Sequence, residues 1–547
     1  MRSSQKLTLN LGLRYELDLP PYETRGSNPT FDPTLYEPLL KVDSSGNPVG
    51  PPIGGFVQPR NVIAQYDLPG IPKVGKRVLR SNDPNNLGPR IGFAYSPLDS
   101  GRLVLRGGYG IFYSRASTIY INFNTPPAYF VGIKNPPTSF AEPYFLVPSQ
   151  DRFPTFVQNA ALAGRVFDRD IRTPYFHQYN TSVQYAARPS LVLEVAYVGT
   201  RGLNLLRNVA INQARLASPQ NPRTNEVTGQ PITTNTPGNV GLRAPFQGVE
   251  VNGFSQTQSS AESSYNSLQL SLTRSVSKGL QLLASYTYAR SIDNGSGQDG
   301  FDSNSILGNQ LDKRANRGVS DFDRTHRFVL SYLWDVPRPG FATKTTAARW
   351  LFSNWQIAGI ATAMSGLPID IVDSNAGSFY LGPNNGLSRP SWAPGATSST
   401  ATSNIPAGYL FNPFAFARPI VSAGQLIPSS NIGAVAGAPC GLPTIVCTDF
   451  GSVGRNVLRG PKQTNVDFSV IKRLPLGESK NIEFRAEFFN LFNHVNFANP
   501  ISNLNAFASS GGSIDANGRI LNPGDFGRIT STSNNPRLIQ FALKLNF

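Results

Sequence analysis

Apolar and polar residues alternate strictly through much of this 547-residue chain. Near the start, Leu7, Leu9, Leu11, Leu13 and Tyr15 alternate with Thr8, Asn10, Gly12, Arg14 and Glu16. A period of two puts successive side chains on opposite faces of a strand, one apolar and one polar. The pattern recurs at Ile91, Phe93 and Tyr95, and at Leu103, Leu105, Tyr109, Ile111 and Tyr113. It returns at Tyr179 to Tyr185, Leu191 to Tyr197, Leu268 to Leu272, Leu280 to Tyr288, Phe328 to Trp334, Trp355 to Ala363, Val466 to Val470 and Ile482 to Phe488. The final strand sets Ile539, Phe541, Leu543, Leu545 and Phe547 against Gln540, Lys544 and Asn546. This predicts about twelve strands, most near the ~10 residues that cross a bilayer as part of a barrel.

The connections add a second regularity. Short links at 97–101, 187–190, 275–279 and 475–480, with a longer one at 337–354, alternate with long segments. The long segments run roughly over 17–87, 115–173, 200–264, 291–324, 373–463 and 491–535. Outer-membrane barrels have short periplasmic turns and long extracellular loops, so the long segments are expected on one rim. Tyr15, Tyr113, Tyr197, Trp334 and Trp355 lie near strand ends, where barrels carry aromatic girdles. The expected fold is an all-β, antiparallel transmembrane β-barrel. A soluble all-β protein shares the alternation but has less reason to alternate link lengths.

Composition fits. Charged residues are only 15%, with 50 Gly and 45 Pro in their place, and mean hydropathy is -0.22. No apolar run approaches the ~18 residues of a membrane helix, which a barrel does not need. The net charge of +16 comes mostly from Arg. Those residues are scattered, and no helix-turn-helix or zinc-finger spacing occurs, so a nucleic-acid partner is not expected. A hydrated lumen and loops facing anionic lipid, including lipopolysaccharide, are the alternative homes for this charge.

Particular segments resemble a known family. Tyr197-Val-Gly-Thr-Arg-Gly202 looks like a strand-end motif of Oar-like TonB-dependent outer-membrane receptors. Tyr265-Asn-Ser-Leu-Gln-Leu-Ser-Leu and the stretch from Lys278 to Asp293 resemble a hairpin of that family. So do Ser320-Asp-Phe-Asp-Arg-Thr-His-Arg-Phe-Val-Leu-Ser-Tyr332, Trp355-Gln-Ile-Ala-Gly-Ile, Leu458-Arg-Gly-Pro, the stretch from Phe484 to Phe497, and Gln540-Phe-Ala-Leu-Lys-Leu-Asn-Phe547. The resemblance implies a barrel of about 22 strands around an N-terminal plug. Residues 1–547 are therefore expected to be the C-terminal barrel portion, since no signal peptide, plug or TonB box is found before the first strand. The implied role is uptake of a bulky, unidentified solute, driven by the TonB system through the plug. The alternatives are a non-transporting surface barrel acting in adhesion and a secreted carbohydrate-binding β protein.

Candidate chemistry is sparse, and no cofactor is expected. His177, His326 and His494 are the only histidines, and no Gly-x-Ser-x-Gly elbow accompanies them, so no enzyme is expected. Asp293, Asp299, Asp302, Asp312, Asp321 and Asp323 form an acidic stretch without EF-hand spacing; Ca²⁺ and plain exposure are both open. Gly107, Gly108 and Gly110 are read as thinning one strand's surface. Arg14, Arg90, Arg106, Glu194, Glu483, Arg485 and Glu487 fall on polar faces, where mutual pairing or solute guidance is expected. Cys440 and Cys447 lack a matching His pair, which favours a small loop disulfide over a metal. Phe547, Leu545, Leu543 and Phe541 resemble the terminal strand by which barrel-assembly machinery recognises its clients.

Overall fold

The structure is a computed structural model. It describes residues 6–37, 54–115, 162–296, 308–381, 388–421 and 448–547, apart from short interruptions at 21–23, 28, 65–66, 68–70, 81–82, 227, 248, 278, 311, 313, 344 and 477–479. Twelve strands make one sheet: β1 (Leu7–Tyr15), β2 (Leu87–Tyr95), β3 (Leu103–Tyr113), β4 (Tyr175–Arg188), β5 (Leu191–Ala210) and β6 (Val249–Ser277), then β7 (Leu280–Asp293), β8 (His326–Asp335), β9 (Trp355–Met364), β10 (Gln463–Pro475), β11 (Asn481–Phe489) and β12 (Leu538–Asn546). They lie side by side in sequence order and every neighbouring pair is antiparallel. Leu162–Phe167 adds a parallel strand beside the far end of β6, and Gly318–Val319 pairs with the end of β7. Among the described residues β1 pairs only with β2 and β12 only with β11, so these are the sheet's two edges.

In such a meander each link returns at the rim opposite the previous one. The long connections, 16–86, 114–174, 211–248, 294–325, 365–462 and 490–537, therefore share one rim, and the short links share the other. Residues directly opposite in an antiparallel ladder point to the same face. On that basis the apolar faces join across all twelve strands. Leu9 is opposite Phe93, Leu105 opposite Val183, Val195 opposite Leu270, Leu330 opposite Ala361 and Phe484 opposite Leu543. The side chains of this face are exposed or half-buried, as Leu11 (70%), Leu543 (74%) and the half-buried Leu105 illustrate. A continuous exposed apolar band on a sheet is what lipid covers in a barrel. Tyrosines mark the band toward the loops (Tyr109, Tyr179, Tyr197, Tyr288), and Tyr95, Tyr185, Trp334 and Trp355 mark it toward the short links.

Two strands overrun the expected boundaries. β5 has 20 residues and β6 has 29, so much of the segment expected as a loop over 200–264 is strand, and Tyr197–Gly202 is mid-strand rather than a strand end. At about 3.3 Å per residue, β6 is ~95 Å long, far beyond the membrane. Pairing continues from Gln258 opposite Arg207 to Ser255 opposite Ala210. Arg207 to Ala210 are all buried. Once other loops cover both faces of a strand, the apolar–polar alternation disappears, and so does its trace in the sequence.

Gly199 shows why the motif at 197–202 needs a residue without a side chain. The Tyr179 ring lies across it, and a Cβ there would sit 2.1 Å from that ring. Tyr179 thereby reaches over β5 to donate a hydrogen bond to Asn266 Oδ1 at 3.1 Å. Gly199→Val is expected to displace the ring, break that bond and destabilise the folded sheet by about 1–3 kcal/mol, the usual cost of overpacking. The check is the guanidine midpoint of the detergent-folded protein; an unchanged midpoint would contradict the close packing.

Candidate functional site

The polar faces of the strands form a second continuous surface, opposite the lipid-facing one, and some of its charges pair. Glu483 accepts from Arg473 at 2.8 Å and from Arg485 at 2.5 Å, and Arg473 also donates to Gln356. Arg14 pairs with Glu16 at 2.7 Å, and Arg106 donates to Gln184. Arg90 lies over the Phe112 ring, 4.4 Å from its centroid. Beside it Gly12, Gly92, Gly108 and Gly110 leave a shallow trench of about 470 Å³, bordered by Asn10, Gln178 and Asn180. Gly108 and Gly110 therefore do thin the inner face. Gly107 serves the outer face, where Phe93 covers it.

At the long-connection rim, the described parts of the long connections pack against one another as a cap. Ile369, Ile371, Phe411, Phe416, Leu458, Phe507 and Phe526 are buried in one core built from 365–462 and 490–537. A second core joins Leu216 to Phe379, Tyr380 and Leu381. A third joins Phe31, Phe56 and Val166 to Val249 and Phe254 at the outer end of β6. Each such apolar side chain contributes about 1.5–3 kcal/mol on burial. The cap is therefore a folded structure, held by cores that connect loops distant in sequence.

Arginines, all but Arg459 buried, cross-link it. Arg418 grips Asp373 with two hydrogen bonds of 3.0 Å, with Asp373 fully buried, and it also donates to Asn505. Arg389 grips Asp370 in the same way at 2.8 Å. Arg455 joins Asp293 and Asp321, both at 2.7 Å, and Arg459 pairs with Asp323. Burial pulls the Arg455 pKa down, but the two carboxylates outweigh it and hold the guanidinium above its ordinary value. The acidic stretch is thus matched by arginines from another loop, at Asp293, Asp321 and Asp323. Among the described residues no acidic or histidine cluster has metal-site geometry. Arg243 is buried without a carboxylate, and burial pushes its pKa down. It donates to Asn239 Oδ1 and to the carbonyls of Arg215, Thr236 and Phe379, tying the 211–248 loop to 365–462.

The asparagines after β11 shape the rim of the cap. Asn490 adopts φ +52° and Asn493 φ +51°, a left-handed conformation that Asn tolerates better than most residues. The Asn490 side chain accepts from the His494 amide and donates to the carbonyls of His494 and Asn535. His494 lies in this turn. His177 and His326 lie on the lipid-facing side, where each hydrogen-bonds a tyrosine, Tyr109 and Tyr286 respectively, at 2.8 Å. The structure does not bring the three histidines together. Cys440 and Cys447 lie outside the described residues. Leu543, Leu545 and Phe541 share the outward face of β12, and Phe547 follows it, 91% exposed. Sequence reading missed Arg389, Arg418 and Arg455. The available hint was an excess of Arg in the long segments opposite a run of Asp.

A family match agrees with this architecture. The sequence model of the outer membrane beta barrel domain matches residues 1–540. No curated protein matches the chain. Among solved structures it is similar to the outer membrane transporter YddB from Escherichia coli, with 8% identity, a TM-score of 0.39, and 84% of this chain and 41% of that one covered. It is also similar to the ferric-catecholate import receptor Fiu from K12 E. coli, with 9% identity, a TM-score of 0.37 and coverage of 100% and 43%. The siderophore receptor PirA from Acinetobacter baumannii is 10% identical, with a TM-score of 0.32 and coverage of 75% and 37%. The chain spans about two fifths of the length of these structures. With strands, faces and links arranged as a barrel requires and the family match running over nearly its whole length, this chain belongs to the outer membrane beta barrel domain family, and its place is the outer membrane.

Proposed function

We propose that this chain is the barrel part of a TonB-dependent outer-membrane transporter for a bulky solute. The observation that carries the proposal is a polar inner face, with ion pairs at Glu483, on strands whose long connections pack into buried cores at one rim. A passage for solute needs a hydrated lining, and a folded cap supplies a shaped mouth where loose loops would not. The resemblance of the ordered segments from Tyr197 to Phe547 to Oar-like receptors supports the same reading. On this reading energy arrives through a plug that engages the TonB system from the periplasm. The test is accumulation of the solute by cells carrying the complete gene, before and after a protonophore collapses the inner-membrane gradient. Uptake should fall to the level of a gene deletion. Surface adhesion that survives the protonophore, with no gene-dependent uptake, would instead favour the adhesion barrel.

A further inference from the structure

The segment Tyr197–Gly202 is left without a role by the transport reading, and its register places it in a particular company. Arg201 on β5 lies opposite Ser264 of β6, and Arg290 on β7 lies opposite Asn266. All of these face outward, on the lipid side, just above the tyrosine level. From strand spacing, the two arginine Cα atoms are about 12 Å apart across β6, a gap that two long side chains can close around one anion. Both arginines are exposed, and among the described residues neither has an ion-pair or hydrogen-bond partner. Glu262, further along β6 toward the loops, forms no ion pair with either.

Asn266 sits between them and is held in orientation. Its Oδ1 accepts from the hydroxyls of Tyr179 at 3.1 Å and Tyr197 at 2.7 Å. With both lone pairs engaged, the carboxamide presents its N–H donors at the surface. Two guanidinium forks and an oriented amide donor, without a carboxylate paired to them, suit a phosphate. Directly below lie Val195, Leu268 and Leu270, each roughly two-fifths to one-half exposed. Donors above an apolar wall fit an amphiphile better than a free ion, and this rim faces the outer leaflet because the long loops do.

We infer that Arg201, Arg290 and Asn266 form a site for the phosphate of an outer-leaflet glycolipid whose acyl chains lie against Val195, Leu268 and Leu270. The probe is synthetic lipid A added to the full chain in detergent micelles, with bound lipid counted by native mass spectrometry. Bisphosphorylated lipid A should bind, and its fully dephosphorylated form should bind less. The R201Q/R290Q chain should lose bisphosphorylated lipid on the order of tenfold, with dephosphorylated lipid unaffected. R201K/R290K keeps the charge without the fork, and retention of part of the binding supports the site. Three results would overturn it: equal binding of the two lipids by the unsubstituted chain, full binding by R201Q/R290Q, or complete displacement by inorganic phosphate at millimolar concentration, which marks a free-ion site. Heat-modifiable gel migration shows that each variant is folded, since both arginines are exposed and pack in no core.

Discussion

Deleting Phe547 is expected to reduce the amount of this protein in the outer membrane sharply while leaving the stability of the inserted fraction nearly unchanged. The two effects separate because of where the residue lies. Phe547 follows β12, an edge strand paired only with β11 among the described residues, and its side chain is 91% exposed. A buried Phe contributes about 1.5–3 kcal/mol. A residue with almost no protein contact has little of that to lose, so a packing role predicts a small change everywhere. Leu545, Leu543, Phe541 and Ile539 continue the apolar face behind it, opposite Ile482, Phe484, Ala486 and Phe488. We propose that this terminal face is read by the barrel-assembly machinery before the strand is covered. Fractionation followed by heat-modifiable migration measures both quantities. Wild-type membrane levels of the deletion variant would refute the recognition role. A drop in thermal stability equal to the drop in level would assign Phe547 to packing instead.

Substituting Asp373 by Ala should open the loop cap without dissolving the sheet. Asp373 is fully buried and Arg418 nearly so, and the variant leaves that guanidinium with Asn505 and the Phe507 ring as its remaining contacts. Breaking a buried pair by removing one partner costs about 3–5 kcal/mol, because the surviving charge stays out of water. The cap core around Phe411, Phe416 and Phe526 is local, so the cost falls there rather than on the strand ladder. Limited proteolysis should cut within 365–462 or 490–537 in D373A, while heat-modifiable migration of the sheet persists. Replacing both partners, as in D373L/R418M, should restore much of the resistance, since a well-packed apolar pair can match a buried ion pair. A D373A protein as protease-resistant as the unsubstituted chain would show that the ion pair does not hold the cap.

Period-two alternation determined the strands inside the membrane and the assignment of residues to faces, and the alternation of short and long links determined the common rim of the long segments. Each of these follows from local chain geometry plus one requirement, that lipid touches only one side of the sheet. The inner-face positions of Glu483 and Arg485 were legible for the same reason, and the structure adds Arg473 to them. Their positions are two apart on one strand or opposite on its neighbour.

What only the tertiary structure decided lies above the membrane. β5 and β6 continue well past Tyr197 and Tyr265 because other loops cover both their faces, and a strand covered on both sides leaves no alternation to read. The pairing of Arg455 with Asp293 and of Arg418 with Asp373 joins residues far apart in sequence, and no periodicity encodes such distances. The same holds for Tyr179 reaching across Gly199 to Asn266, and for Arg201 and Arg290 flanking that amide. Alternation records which side of a strand meets lipid. It carries no information about which loop meets which, because that is settled by volume, charge and hydrogen bonding once the strands have brought the loops to a common rim.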